Sequence, residues 1–245
     1  MDSISSNNLE IFDCHLHVQD GLNGYNLPLS GANVIFNTVE SYEKYALEYA
    51  EFYHTLIFDL TMGLDFYKNL IAEDKISALK IHSRLQQIDD TKYLDLIEAL
   101  AELEGKVPVI YDAFYYGSDL RHQPSLKGLI RMIKALPQQK FIIAHAGGYQ
   151  IIKYFFHLRE FKNVGYDLSL SLQYLWDSSC KADLIKLIKY TPKHRLFFGR
   201  DYHDGDPLTQ LMNIEEIAHI LELSEEDKQN MISHNWKNFI GKSQK

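Results

Sequence analysis

Eight short apolar segments, separated by segments with helical periodicity, are the feature of this sequence that most constrains its fold. Most of the eight are nearly continuous in apolar residues, which is typical of parallel strands covered on both faces. Between them, apolar residues recur at intervals of three and four, as in residues 93–103 and 126–136. The predicted strands are residues 11–18, 33–39, 54–60, 76–82, 107–114, 141–146, 164–170 and 196–202.

This alternation predicts a single (β/α)8 TIM barrel over residues 1–245, with C-terminal helices after the last strand. No linker rich in Gly, Ser or Pro divides the chain. The first unit is the weakest, because residues 19–32 resemble a loop in which the helix is short or missing. An open doubly wound sheet is the alternative, and the lack of a glycine-rich phosphate loop after the first strand disfavours it.

Two helix boundaries are marked in the second half of the chain. Thr191-Pro192 is predicted to stop the helix before the last strand, because proline cannot continue a helix. Ser224 is predicted to cap a helix whose first turn is acidic.

Composition excludes several classes of protein. The formal net charge of −8 disfavours a nucleic-acid partner, which requires a basic surface. The sequence contains no run of 18 apolar residues, so no transmembrane helix is predicted. The polar N-terminus does not resemble a secretory signal. Cys14 and Cys180 are too few for a disulfide scaffold. We therefore expect a cytoplasmic protein with neither a nucleic-acid nor a membrane partner.

Polar side chains fall at the C-terminal ends of the predicted strands, where TIM barrels build their active sites. His15 and His17 lie two residues apart on the first strand, and alternation places Asp13 on the same face. A lone strand histidine is more often a hydrogen-bonded core residue than a ligand, but two adjacent buried imidazoles need two partners. Other predicted strands carry polar residues at similar depths; these are Lys80, His82, Tyr111, Asp112, His145, Arg200 and Asp201.

Such a cluster suits metal-assisted hydrolysis. Zinc binds imidazole nitrogen and carboxylate oxygen, and a catalytic site keeps one position open for water. The ion lowers the pKa of that water, and a carboxylate such as Asp201 can accept its proton. Histidines that lie on predicted helices, loops or strand starts are interpreted as surface or structural residues; these are His54, His122, His157, His194, His219 and His234.

Five segments resemble the landmarks of the amidohydrolase-related (amidohydrolase-2) metal-dependent hydrolases: "DCHLHV", "ALKIHS", "PVIYDAF", "FIIAHAGG" and "LFFGRDYH". The tail "NMISHNWKNFI" is similar to the closing helix of that family, so the resemblance covers nearly the whole chain. Other metal-dependent barrels share the HxH of the first strand. Its combination with "HAGG" and with the Asp of "GRDY" is much more specific.

The resemblance implies a role for each matching residue. It makes His15 and His17 metal ligands, and Asp201 both a ligand and the proton acceptor. His145 is then a ligand to a second metal, or the residue that orients water and polarises the carbonyl. Lys80 occupies a strand position at which some amidohydrolases carry a carboxylated lysine that bridges two metals, a bridge that mononuclear relatives lack.

The fifth strand departs from the family pattern, because Asp112 stands where a histidine is usual. If Asp112 donates an oxygen, the ligand set becomes His, His, Asp and Asp, which is harder than the usual set and favours manganese more. If Tyr111 faces the lumen instead, the metal loses a ligand. We expect one divalent ion, with zinc first and manganese as the alternative, and a metal-free site stays open.

Three other functions stay open. Certain relatives are metal-independent lactonases that bind substrate carboxylates with arginines, and Arg84 and Arg200 suit that role. An equally good interpretation is that each arginine forms a structural salt bridge. A decarboxylase on the same barrel and a non-catalytic ligand-binding barrel are the others. Residues assigned to substrate binding are Lys80, His82, Arg84, Tyr111 and Arg200.

Aromatic residues are dense in the loops after strands five and seven, which border the predicted mouth of the barrel. They suit a pocket for a small-molecule substrate, and they equally suit the interface of a homodimer. The residues concerned are Tyr115, Tyr116, Arg121, Tyr174 and Trp176.

Overall fold

The fold was analysed in a computed structural model, which describes residues 10–18, 29–201 and 207–241. Eight parallel strands form one sheet in which each strand pairs with its neighbour in sequence. The strands are β1 (Ile11–His17), β2 (Leu29–Phe36), β3 (Tyr53–Ile57), β4 (Ala78–Ile81), β5 (Val109–Asp112), β6 (Phe141–Ala144), β7 (Val164–Asp167) and β8 (Leu196–Phe197).

Backbone hydrogen bonds join the two edges of this sheet. The amide of Cys14 donates to the carbonyl of Phe198 (3.0 Å), and the amide of Asp201 donates to the carbonyl of His15 (2.8 Å). These bonds connect β1 to the segment that follows β8. The predicted (β/α)8 barrel is therefore confirmed.

Helices occupy most of the connections and follow the last strand. Among the described helices, none has the length and apolar character needed to cross a bilayer. They are α1 (Val39–Tyr45), α2 (Leu64–Ala72), α3 (Tyr93–Ala101), α4 (Leu126–Ala135), α5 (Ile151–Leu158), α6 (Ser171–Tyr174), α7 (Lys181–Tyr190), α8 (Pro207–Leu221), α9 (Glu225–Gln229) and α10 (Asn235–Ile240).

Both predicted helix boundaries are confirmed. Helix α7 ends at Tyr190, directly before Thr191-Pro192. The Ser224 side chain accepts a hydrogen bond from the amide of Asp227 and caps α9. Strand β2 begins at Leu29, earlier than predicted, because Leu29 and Gly31 pair with Ile11 and Phe12 of β1. The predicted weak helix of the first unit falls mainly on residues 19–28, which lie outside the described residues.

An apolar cluster fills the inside of the barrel, and the C-terminal helices close its lower end. Trp236 of α10 stacks on Phe12 at the start of β1 (ring centroids 6.5 Å apart) and meets Phe197 of β8 edge-on (5.8 Å). Because the N-terminal ends of the strands are sealed in this way, the polar residues at their C-terminal ends lie at the opposite, accessible mouth.

The contact between α3 and α4 leaves no room for a side chain at Gly128. A Cβ there would lie 2.4–2.5 Å from three atoms of the Tyr93 ring. We expect Gly128→Ala to lower the free energy of unfolding by about 1–3 kcal/mol, since overpacking forces neighbours to move. Urea denaturation measures this. Exposed Lys127→Ala in the same helical turn is the control, with an effect of less than about 0.5 kcal/mol, and equal stability of the two variants would contradict the packing.

Candidate metal centre

Three donor atoms meet where β1 approaches the end of β8. His15 Nε2 lies 2.9 Å and His17 Nε2 lies 3.0 Å from Asp201 Oδ1. His15 is fully buried, and His17 and Asp201 are only slightly exposed. Two imidazole nitrogens and one carboxylate oxygen, all within 4.8 Å of one another, form a group able to hold a metal ion.

The backbone of β1 is irregular where it carries these histidines. Its register with β2 shifts between Asp13 and Leu16. Asp13 does not join the donor group as its alternation with His15 predicts. Its Oδ1 accepts hydrogen bonds from the amides of His15 (2.9 Å) and Arg200 (3.0 Å). Asp13 thereby fixes the backbone of both segments that carry donors.

Asp167, at the end of β7, orients His15. Its Oδ2 lies 2.5 Å from His15 Nδ1, which leaves Nε2 directed at Asp201. Burial alone would lower the pKa of His15, but the carboxylates of Asp201 and Asp167 outweigh burial and raise this pKa to about 9. A carboxylate on the far ring nitrogen is a common support for a metal-bound histidine, because it fixes the tautomer and the ring orientation.

Asn37 takes the corresponding position beside His17. Its Nδ2 lies 3.3 Å from His17 Nδ1, and its Oδ1 is buried with no hydrogen-bond partner among the described residues. Turning the amide by 180° lets Oδ1 accept a bond from Nδ1–H and leaves the lone pair on Nε2. Burial lowers the pKa of His17 to about 4, so this ring is neutral at pH 7.

The third donor is ionised. Burial would raise the pKa of Asp201, but nearby His15 and His145 hold this pKa well below its usual value. The backbone of Asp201 has φ +75°, a left-handed conformation that is costly for a residue with a side chain and is concentrated at functional sites. His17 is a neutral imidazole and Asp201 is an ionised carboxylate, whereas a bound ion would displace the proton that the two carboxylates hold on His15. With that proton released, the three donors fit zinc or manganese.

Asp112 lies in a second group of side chains, so the structure does not bring it together with these three donors as the predicted ligand set requires. Its Oδ2 lies 3.5 Å from His82 Nε2 and 3.6 Å from both Lys80 Nζ and His145 Nε2. Burial would raise the pKa of Asp112, but these three neighbours hold it well below its usual value. Lys80 Nζ also lies 3.3 Å from His15 Nε2 and so links the two groups.

His145 begins the tight turn "HAGG" after β6. Its φ is +59°, and positive φ continues through Gly148. A Cβ at Gly147 would lie 2.8–2.9 Å from Tyr154, so glycine is required there. Nδ1 of His145 contacts Ser169 Oγ at 3.1 Å, and its carbonyl accepts a hydrogen bond from Ser171. His145, His15 and Asp167 form the other group of potential metal donors in the described chain.

Two residues assigned to substrate binding, Tyr111 and Arg200, are not among the described residues that line the cavity at the mouth of the barrel. The phenol of Tyr111 bonds to the Tyr93 hydroxyl (2.6 Å) on the outer side of the sheet. Alternation along β5 turns Tyr111 outward because Asp112 turns inward. Arg200 is 2% exposed, and its backbone amide donates a hydrogen bond to Asp13 Oδ1. The structure thus turns the phenol of Tyr111 away from the site, whereas the role of Arg200 stays a prediction.

A cavity of about 750 Å³ lies above the three donors and the group around Asp112. Lys80, His82 and Asp112 line it together with His17, His145 and Asp201. Of the predicted mouth residues, Tyr116 and Tyr174 line it, and the guanidinium of Arg84 stacks on the Tyr116 ring. The other three lie elsewhere: Trp176 is buried beside Lys181, and Tyr115 and Arg121 line a separate groove.

Three supporting residues, Asp167, Ser169 and Asn37, were not predicted from the sequence. Asp167 gave one signal, because it is a lone acidic residue in the apolar segment "VGYDLSL" and charged residues are rarely buried without a partner. Its partner is 152 residues away in sequence. Asn37 and Ser169 lie inside the predicted strands 33–39 and 164–170 but beyond the ends of β2 and β7, and a single uncharged polar residue at such a position gives no such signal.

Comparison with known proteins supports the fold at low sequence identity. No protein-family model matches the sequence, and no curated protein matches it significantly. An uncharacterised TIM-barrel protein from Bordetella bronchiseptica gives a TM-score of 0.67 with 13% identity, over 96% of this chain and 100% of that chain. Dihydroorotase from Saccharomyces cerevisiae, in complex with 5-fluoroorotic acid, gives 0.65 with 13% identity, over 96% and 84%.

A third similar structure is a dihydroxybenzoic acid decarboxylase from Polaromonas sp. JS666 with bound manganese and the inhibitor 2-nitroresorcinol. Its TM-score is 0.62 with 11% identity, over 96% of this chain and 97% of that chain. The neighbours thus include enzymes of the amidohydrolase fold, both a hydrolase and decarboxylases. The fold implied by the five motifs is supported, whereas the narrower amidohydrolase-2 family stays a prediction.

Proposed function

We propose that this protein is a hydrolase that cleaves a C–N or C–O bond of a small carboxylated or cyclic substrate with the help of one divalent ion. His15, His17 and Asp201 would hold the ion, with zinc as the first expectation and manganese as the second. The observation that carries the proposal is the meeting of three donor atoms within hydrogen-bond distance at the base of a cavity of about 750 Å³. A bound ion of this kind supplies Lewis acidity, which polarises a carbonyl and lowers the pKa of water.

Asp201 is the proposed proton acceptor. Its ionised carboxylate lies at the cavity and can take a proton from an attacking water. The proton that Asp201 accepts from water would then pass to the leaving group. His145, whose Nδ1 is fixed by Ser169, presents Nε2 to the same space and is proposed to orient the water or the scissile carbonyl.

Lys80 and His82 form the proposed polar wall of the substrate site. The ammonium of Lys80 is buried between His15 and Asp112 and lines the cavity, where it can stabilise negative charge that develops on oxygen. Burial lowers the pKa of His82 to about 4, so its ring is neutral at pH 7 and can exchange hydrogen bonds with a substrate.

The experiment that tests this function is a screen of esters, lactones and amides with zinc or manganese supplied, repeated after removal of the metal by a chelator. Metal-dependent hydrolysis of one substrate class is expected. The decarboxylase alternative is based on the fold that this chain shares with the manganese-bound decarboxylase. It predicts release of carbon dioxide from aromatic carboxylates instead. Hydrolysis that survives chelation would favour the metal-independent lactonase, and no turnover on any substrate would favour a ligand-binding barrel.

The role of Asp167 can be tested by measuring metal affinity, without knowledge of the substrate. Asp167→Asn should weaken metal affinity by about 10–100-fold, since the ring of His15 loses the carboxylate that fixes its tautomer. Competition with a fluorescent chelator measures the affinity. Asp112→Asn is the matched control, because it removes a carboxylate from the same cavity but not from the donor group. Equal losses in both variants would contradict the assigned donors.

A further inference from the structure

A groove separate from the cavity at the mouth lies on the outer wall of the barrel, behind the connection between β5 and α4. It has a volume of about 780 Å³, which is in the range of small-molecule sites. Its floor is apolar, with Ile88, Pro124 and Ile130, and helices α4 and α5 supply its two walls.

Cationic side chains line both walls. Lys127, Arg131 and Lys134 are spaced four and three residues apart on α4, so they share one face of that helix. Lys153 faces them from α5, four residues before His157. All five residues are exposed to solvent.

These cations have no acidic partners in the described part of the chain. No carboxylate oxygen there lies within 4.0 Å of the charged groups of Lys127, Arg131, Lys134 or Lys153. The two acidic residues of the groove are already engaged: Asp89 pairs with Arg121 (3.1 Å), and Asp90 accepts a hydrogen bond from Ser125 (2.8 Å). The groove therefore presents net positive charge over an apolar floor.

This concentration of positive charge runs against the composition of the chain. The whole sequence has 25 Lys and Arg against 33 Asp and Glu. Residues 126–195, which include α4, α5 and α7, have twelve Lys and Arg against four Asp and Glu. A long-range field of this sign directs anions to the wall that contains the groove.

We infer that the groove is a binding site for a small molecule that carries several phosphate groups. Lysine ammonium groups bind phosphate as point charges, and an arginine guanidinium binds phosphate oxygens in pairs. Cations on two facing helices bind more than one phosphate at once, and the apolar floor accepts an uncharged part of the same molecule. The site is separate from the barrel mouth and does not depend on the proposed hydrolysis.

The groove shares one chain segment with the mouth of the barrel. Tyr115 lines the groove, and its neighbours Phe114 and Tyr116 line the cavity above the candidate metal centre. The side chain of Gln123, also in the groove, donates to the carbonyl of Tyr116 (3.0 Å). A ligand in the groove would therefore contact the back of a segment that shapes the cavity.

Calorimetric titration with inorganic tripolyphosphate tests the inference. The wild-type protein should bind one tripolyphosphate per chain, and binding should saturate. Lys127→Glu combined with Arg131→Glu should weaken binding at least about tenfold, which corresponds to about 1.4 kcal/mol. Lys186→Glu combined with Lys189→Glu on α7 makes the same change in net charge outside the groove, and affinity should change by less than about twofold.

Three results would overturn the inference: no saturable binding by the wild-type protein, equal losses in both double variants, or full binding by the groove variant. The second result would show a diffuse charge effect, and the third would locate the phosphate elsewhere, including at the mouth. If the first pair of substitutions prevents folding, Lys134→Gln with Lys153→Gln replaces it with the same expectation. Thermal unfolding of each variant checks the fold.

Discussion

Replacing Asp201 with asparagine is expected to lower kcat/KM by at least about 1,000-fold on any substrate that the screen identifies. Asparagine keeps the size of the side chain but loses the charge that makes it a proton acceptor. In the wild-type protein, the imidazole nitrogens of His15 and His17 share one carboxylate oxygen of Asp201, and an amide is a poorer partner for them. Both effects reduce the rate, and the second also weakens metal binding.

The measurement is steady-state kinetics with the metal supplied in excess, so that loss of the ion does not by itself explain the result. Asp95→Asn, an exposed change of the same kind on α3, is the control and should keep wild-type activity. Activity of Asp201→Asn within about tenfold of wild type would exclude this carboxylate as the proton acceptor.

Removal of either strand-one histidine should abolish stoichiometric metal binding. Each variant, His15→Ala or His17→Ala, deletes one of three donors, and the two that remain do not define a closed site. We expect metal content to fall from about one ion per chain to nearly none after gel filtration. Elemental analysis by mass spectrometry measures the content.

His82→Ala is the matched control for these two variants. It removes a histidine from the same cavity, but His82 contacts Asp112 and is not one of the three donors. Its metal content should equal that of the wild type. Loss of the ion from His82→Ala, or its retention in His17→Ala, would show that the ion is held by other residues.

The order of the strands and the region of the site could be predicted from the sequence, but the direction of individual side chains could not. Strands buried on both faces are apolar throughout, so their pattern does not tell which residues turn inward. For this reason the sequence left the choice between Asp112 and Tyr111 open and did not give the direction of Arg200. The hydrogen bond between Tyr111 and Tyr93 decides the first case.

The strand boundaries also differ where the site is built. The segments predicted as strands six, seven and eight extend beyond the observed strands β6, β7 and β8, and the extra residues carry His145, Ser169 and Asp201. Two of these, His145 and Asp201, have positive φ, which ends strand geometry at both positions. Hydrophobic patterning contains no information on such backbone strain, because neighbouring segments impose it.

Partnerships between distant residues were the least accessible part of the site. The sequence indicated that Asp112 is polar and buried, and its resemblance to a ligand position suggested a metal contact. Its oxygen instead lies among Lys80, His82 and His145. A carboxylate is most stable beside the greatest positive charge, and here Lys80 on the adjacent strand supplies that charge.

Anomalous diffraction from crystals of the zinc-loaded protein is the most direct test of the metal centre. The expected result is one anomalous peak at the zinc edge, within about 2.0–2.2 Å of His15 Nε2, His17 Nε2 and a carboxylate oxygen of Asp201. A zinc-loaded crystal with no peak among these three atoms, or with the ion bound by other side chains, would contradict the assignment.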